Sequence, residues 1–178
     1  MTTIPRRLQL GCGRKPLADH LNLDIDPALD PDICFDLNQP MPLPHRVETR
    51  RFGPVTLAPG MIDAIIADNV LEHIRELYTA MRTAWELLAP GGIIRAIVPH
   101  DLSYGAWQDP THVRAFNERS WIYFCERCPW PDGRFEQVRL DLVPSELGMD
   151  LMVQGVAQDV IARTPRAIAE IDVTLRKV

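Results

Sequence analysis

Two glycines and three acids carry the first chemical signal. LQLGCG, Leu8 to Gly13, ends an apolar strand in a Gly-x-Gly turn. Gly11 permits a tight bend there, and Gly13 lets a ligand approach the backbone. By itself such a turn is an ordinary strand-to-helix connection, and the third glycine of a dinucleotide fingerprint is missing. Asp24 and Asp26 close the next apolar stretch, HLNLDI, about a dozen residues on. In a doubly wound sheet the second strand lies beside the first, so an acid at its carboxyl end faces the same crevice. A carboxylate there can accept both hydroxyls of a ribose. Asp36 ends ICFDL, one strand further out, where it can meet an adenine amino group. Each acid alone reads as a solvated turn residue. Three of them, each ending a strand on one edge, describe a nucleoside site.

The elements that must hold these groups follow from periodicity. Arg7 to Leu10, His20 to Ile25 and Ile33 to Leu37 read as three short strands. Between the first two lies only RKPLADH, too short for a normal crossover helix. Residues 45 to 60 read as a loop or hairpin. Ile62 to Ala67 is β-branched and apolar enough for a strand buried on both faces, and Ile93 to Val98 for another buried strand. Between them, Ile74, Leu77, Met81, Trp85 and Leu88 predict a helix from about Glu72 to Leu88, stopped at Pro90-Gly91-Gly92. Residues 99 to 117 mix polar, aromatic and histidine residues, as a functional loop does. Asn117 can cap a short helix through about Glu126. Phe135 to Val143 alternates as a strand. Asp150 to Arg163 fits a helix with Met152, Val153, Val156 and Val160 on one face, and Ala169 to Lys177 alternates as a final strand. The expected architecture is a single α/β domain over residues 1–178. Its sheet is Rossmann-like, doubly wound and mostly parallel, with a late antiparallel edge strand and a shortened first crossover helix.

Composition narrows the function. Among 178 residues, 46% are hydrophobic and 24% charged, so disorder is not the default. A net charge of −5 argues against a protein whose main task is coating nucleic acid. No apolar run is long enough to span a membrane or serve as a signal peptide, which places the chain in the cytoplasm. In that compartment the four cysteines read as free thiols. Cys125-x-x-Cys128 has metal-ligand spacing but lacks two further ligands, so no metal site is expected.

Over residues 8 to 99 the pieces follow one another as in a known family. LQLGCG, LNLDID, IDAIIADNVLEHI and WELLAPGGIIRAIVP resemble, in order, successive motifs of the class I S-adenosylmethionine (SAM)-dependent methyltransferases. The likeness is strongest to small bacterial and phage proteins related to the methyltransferase type 11 group. The resemblance implies SAM as cofactor and S-adenosylhomocysteine as product. It implies that Gly11, Cys12 and Gly13 wrap the methionine part and that Asp24 holds the ribose. Asp36 and Leu37 would border the adenine, and Asp68, Asn69 and His73 would line the pocket near the amino acid moiety. His73 reads equally as a helix-start or packing residue. Gln9 stands where the family often has an acid, and its amide can still orient the ammonium group.

After the fifth strand, DPTHVR resembles a stretch in some small family members. Methyl transfer from a sulfonium needs mainly in-line positioning, and a base when the acceptor is a hydroxyl. His112 is the first candidate base, with His100 and Asp109 behind it; the alternative for His112 is a loop-fixing hydrogen bond. Arg114 either pairs with an anionic acceptor or anchors the loop, and Tyr104 and Trp107 either wall the acceptor or simply pack. The expected partner is a small-molecule acceptor, such as a sugar, natural-product intermediate or other metabolite, with no nucleic acid and no membrane. The chain lacks the Asn-Pro-Pro-aromatic motif of amino-directed DNA methyltransferases. A homo-oligomer or a partner subunit can complete the pocket where the crossover is short. The competing readings are a non-catalytic SAM-fold binding or regulatory subunit and a nicotinamide-binding Rossmann protein.

Overall fold

Leucines at alternate positions decide which way the sheet faces. In the computed structural model, which describes residues 4–178, β1 (Arg7–Leu10) lies between β2 (Leu21–Asp24) and β6 (Ile62–Asp68). Leu8 sits opposite Leu21 and Ile65, and Leu10 opposite Leu23 and Ala67. The row continues through Ile94 and Ala96 of β7 (Leu88–Pro99) to Leu175 and Val173 of β9 (Ile168–Lys177). All ten side chains are buried. Helix α1 (Leu77–Leu87) adds Leu77, Ala80, Met81, Ala84 and Leu87 to the same core.

The seven strands run in the order β3-β2-β1-β6-β7-β9-β8, with β3 at Ile33–Cys34 and β8 at Phe135–Pro144. The β1, β2, β3, β6 and β7 pairings are parallel. Strand β9 is antiparallel to both neighbours, so the reversed strand is inserted beside the edge strand β8. The 45–60 excursion is a separate hairpin of β4 (His45–Thr49) and β5 (Gly53–Leu57). Among the described residues, no helix is long and apolar enough to cross a membrane.

The first crossover contains no helix at all, and polar side chains take its place. On the face opposite the leucines, Gln9 sits beside Asn22. The Gln9 amide accepts from Leu17 N at 3.0 Å and donates to Lys15 O at 3.2 Å. The Asn22 amide accepts from Leu17 N at 2.9 Å and donates to Leu17 O at 3.1 Å. Arg51, on the hairpin turn, donates to Ala18 O at 3.2 Å and to Asp32 Oδ1 at 2.9 Å. Backbone groups that a helix would satisfy internally are thus met by side chains. The same network engages Gln9: both ends of its amide are bound to residues 15–17, and its oxygen keeps one further lone pair.

Several expected boundaries move. β6 and β7 are buried on one face only: Ile66 and Ile97 are half-buried, and Ile93 and Arg95 are exposed. Arg95 pairs with Asp172 at 2.6 Å on that side, where no crossover helix lies to cover a continuous apolar run. The third strand stops at Cys34, short of Leu37, because Asp36 turns the chain by accepting from Asn38 N. Helix α1 begins at Leu77, not near Glu72; residues Leu71–His73 form a 3-10 turn, and Ile74 is extended. Distant side chains cause this. Asn38 Oδ1 accepts from Arg75 N and Glu76 N, while Arg114 donates to Ile74 O at 2.8 Å and Arg75 O at 2.6 Å.

Between β8 and β9 the expected single helix is two, α4 (Glu146–Val153) and α5 (Gln158–Arg163), separated by Gly155 in a left-handed conformation. Its supposed apolar face is not one: Met152, Val153 and Val160 are exposed. Asn117 caps a turn through Arg119 N, ahead of the four-residue helix Ile122–Cys125.

Candidate active site

The edge where the glycine turn meets the strand-end acids is built from backbone geometry. Gly11 and Gly13 both adopt positive φ, +59° and +52°. A Cβ on Gly11 would lie 2.4 Å from Val70 Cγ2, whereas one on Gly13 would meet nothing within 4 Å. The turn is therefore packed from below at Gly11 and open above Gly13, as a ligand cradle requires. Asp24, at the end of β2, accepts from Gly13 N at 2.8 Å and from Asp26 N at 3.0 Å, one through each oxygen. Each oxygen keeps a further lone pair for a hydroxyl. Asp36 Oδ1 takes both Asn38 N and Asn38 Nδ2. Asp68 is exposed at the end of β6 and accepts from Asn69 Nδ2 at 2.8 Å.

Two members of the expected set contribute no side chain here. Leu37 is buried in the core. Cys12 is buried as well, its N–H donating to Leu23 O, and burial pushes its thiol up to about 11. These residues can offer a cofactor only backbone or shape. Gly13, Asp24, Asp36, Asp68 and Asn69 place backbone and polar groups along this edge of the sheet, the donor and acceptor chemistry that a nucleoside and an amino acid group call for.

A cleft of about 410 Å³ opens beside this edge, lined by Asn69, Glu72, His73, Tyr104, Asp109 and His112 among others. Its floor is the 3-10 turn Leu71–His73, and its wall is the loop after the short helix α2 (Gly105–Gln108). A backbone bond from Val113 N to Glu72 O at 2.9 Å joins the two. The imidazoles of His73 and His112 meet edge to face, with ring centroids 4.6 Å apart. His112 Nδ1 lies 3.1 Å from Ala106 O, and His73 Nδ1 lies 2.9 Å from Thr111 Oγ. Thr111 Oγ in turn donates to Asp109 Oδ1 at 2.6 Å. That bond, with the Thr111 backbone N–H, holds the Asp109 carboxyl below its usual range. Tyr104 stands at the rim with the Arg166 guanidinium 3.9 Å from its ring centre. A second cleft, about 480 Å³, lies along β8 and α5 and is lined by no histidine, cysteine or hydroxyl side chain.

Of the expected catalytic residues, His112 and Asp109 are brought together with His73, and His100 is not. His100 is buried beneath the loop, where its Nδ1 accepts from Leu102 N at 3.3 Å. Arg114 anchors the chain through its bonds to Ile74 O and Arg75 O instead of facing an acceptor. Burial lowers its basicity accordingly. Trp107 is 64% exposed and lies outside the cleft lining. In the sequence Glu72 reads only as the start of the expected helix. It is 1% exposed, both carboxylate oxygens lack a hydrogen-bond partner, and burial pushes it up to about 7. Nothing in the sequence marks that burial, although the Glu-His dipeptide before a helix was the available signal. Cys125 and Cys128 are free, and burial lifts the Cys125 thiol to about 11, which disfavours a reactive thiolate.

No protein-family model matches the chain, and no curated protein matches it. Solved structures do. A SAM-dependent methyltransferase from Archaeoglobus fulgidus is similar with a TM-score of 0.60 at 13% identity, over 97% of this chain and 86% of that one. One from Mesorhizobium loti gives 0.58 at 14% identity, over 97% and 91%. The cyclase SpnF gives 0.62 at 15% identity, over 97% and 74%. At such identities the likeness speaks to architecture: the chain has the class I SAM-dependent methyltransferase fold.

Proposed function

We propose that this protein transfers a methyl group from SAM to a small-molecule acceptor seated in the 410 Å³ cleft. The observation that carries this reading is the continuity of the two sites. Asn69 ends the cofactor edge and also lines the cleft that holds His112, His73 and Asp109. SAM would supply a methyl group already activated by its sulfonium. The chain's own part is to orient the acceptor against it and to receive the acceptor's proton. His112 fits the second task. Its Nδ1 faces a carbonyl, which accepts only, so the ring proton sits there and Nε2 keeps a lone pair. The acceptor class on this reading is a hydroxyl-bearing metabolite, and the protein works in the cytoplasm.

The fold also houses a cyclase, so architecture alone does not select the reaction. The helix-free crossover and the engagement of Gln9 favour the second reading, a SAM-fold regulatory subunit. A labelled-methyl transfer assay with a panel of hydroxylated metabolites separates the two. Wild type should transfer label to at least one acceptor, and His112→Ala should lower kcat by about 100-fold or more while SAM affinity stays constant. Transfer undiminished in His112→Ala would remove the base role. SAM binding with no transfer to any acceptor would favour the regulatory subunit.

A further inference from the structure

The hydrogen bonds around the cleft leave three neighbouring side chains with lone pairs that no protein donor takes. Thr111 has a single hydroxyl hydrogen, and Asp109, held in its ionised form, takes it. Thr111 Oγ must therefore accept from His73, which fixes the proton on His73 Nδ1 and frees Nε2. Ala106 O fixes the proton on His112 Nδ1 in the same way and frees its Nε2. The third side chain is Glu72, whose two oxygens are buried without a partner. One ligand atom from each of Glu72, His73 and His112 lies within 4.8 Å of the others.

We infer that Glu72, His73 and His112 form a binding site for a first-row divalent transition-metal ion, with zinc the best match. Two imidazoles and one carboxylate suit zinc and its neighbours, whereas magnesium and calcium prefer all-oxygen sites. The surroundings complete the pattern. Metal-binding imidazoles donate their other N–H to a carbonyl or toward a carboxylate, and here the acceptors are Ala106 O and, through Thr111, Asp109. The backbone bond between Val113 and Glu72 holds the two ligand-bearing segments together. Three protein ligands would leave a coordination position open toward the cleft, where an acceptor hydroxyl would bind, become more acidic and pass its proton to solvent water in the cleft. In the loaded site His112 holds the ion and the ion activates the acceptor. That use rests on the methyl-transfer reading; binding of the ion does not.

The test is titration of the chelator-stripped full chain with Zn²⁺ and Co²⁺, without SAM, read by calorimetry and by the visible Co²⁺ spectrum. One equivalent should bind, with a nitrogen and oxygen ligand spectrum and no competition from Mg²⁺ or Ca²⁺. His73→Ala and His112→Ala should each weaken binding by about 100-fold or more, relative to three intact ligands. Thr111→Val, an exposed and near-isosteric change, should weaken it by about 10- to 100-fold through the lost orienting bond. The Cys125→Ser/Cys128→Ser double variant should bind as wild type. Circular dichroism of each variant confirms the fold. No zinc binding, binding that survives both histidine variants, or binding lost with the cysteines would overturn the inference.

Discussion

Gly11→Ala should lower the stability of the chain by about 2–5 kcal/mol and abolish cofactor binding. Two independent costs add. An L-residue at φ +59° bears the left-handed penalty, roughly 1–2 kcal/mol. The new methyl would stand 2.4 Å from Val70 Cγ2 and 2.8 Å from Val70 Cβ, and overpacking of that kind costs about 1–3 kcal/mol. Val70 lies two residues past the end of β6 and Gly11 directly follows β1, and these strands are hydrogen-bonded neighbours, so relief requires the two strand ends to part. Gly13→Ala is the built-in comparison. Its φ is similar, but the added methyl meets nothing within 4 Å, so it should show only the conformational part. Urea unfolding of both variants and of Gly11→Ala/Val70→Ala checks the division. The double variant should regain the packing share. Equal losses for Gly11→Ala and Gly13→Ala would show that Val70 does not press on the turn.

Arg51→Ala should cost about 3–5 kcal/mol, because it leaves the buried Asp32 carboxylate without its cation. It also frees the carbonyls of Leu17, Ala18 and His20, which Arg51 holds in place of a crossover helix. The effect depends on pH with a definite sign. Burial alone would push Asp32 up, but the Arg51 guanidinium and the Asn22 N–H outweigh it and hold the carboxyl below its ordinary range. Its folded pKa is thus below its unfolded one. The stability it contributes is fully present above about pH 4, the usual value for an unfolded Asp, and is lost as the pH falls through the folded value. The gap between wild type and Arg51→Ala in urea unfolding should therefore be larger at pH 7 than at pH 3. A gap that is constant across that range would mean that Arg51 acts by packing over Phe52, where its guanidinium also lies.

How much of this was legible in the sequence depended on range. The glycine turn, the acid at the end of β2 and the strands around them were readable because each signal is local: apolar alternation, then a glycine or a carboxylate. That the first crossover is too short for a normal helix was readable from length alone, but that it holds no helix at all was not. Nor was what replaces the helix, since Gln9, Asn22, Asp32 and Arg51 meet only once the hairpin folds back. The open face of β6 and β7 was hidden for a related reason. A β-branched run looks the same whether or not a helix covers its second side. The start of α1 was set by Asn38 and Arg114, both remote from it. Gly155, by contrast, stood in plain view inside the stretch read as one helix. At the candidate site, His112, Asp109 and His73 were legible by residue type. Glu72 was not, because its significance lies in burial without a partner.

The most direct measurement is calorimetric titration of the purified chain with SAM and S-adenosylhomocysteine, beside Asp24→Ala. Asp24 bridges the glycine turn and the end of β2, so it tests the cofactor edge itself. Binding of both nucleosides in the micromolar range, lost in a folded Asp24→Ala protein, is the expected result. Absence of binding by wild type, or equal binding by the variant, would contradict a SAM site on this edge.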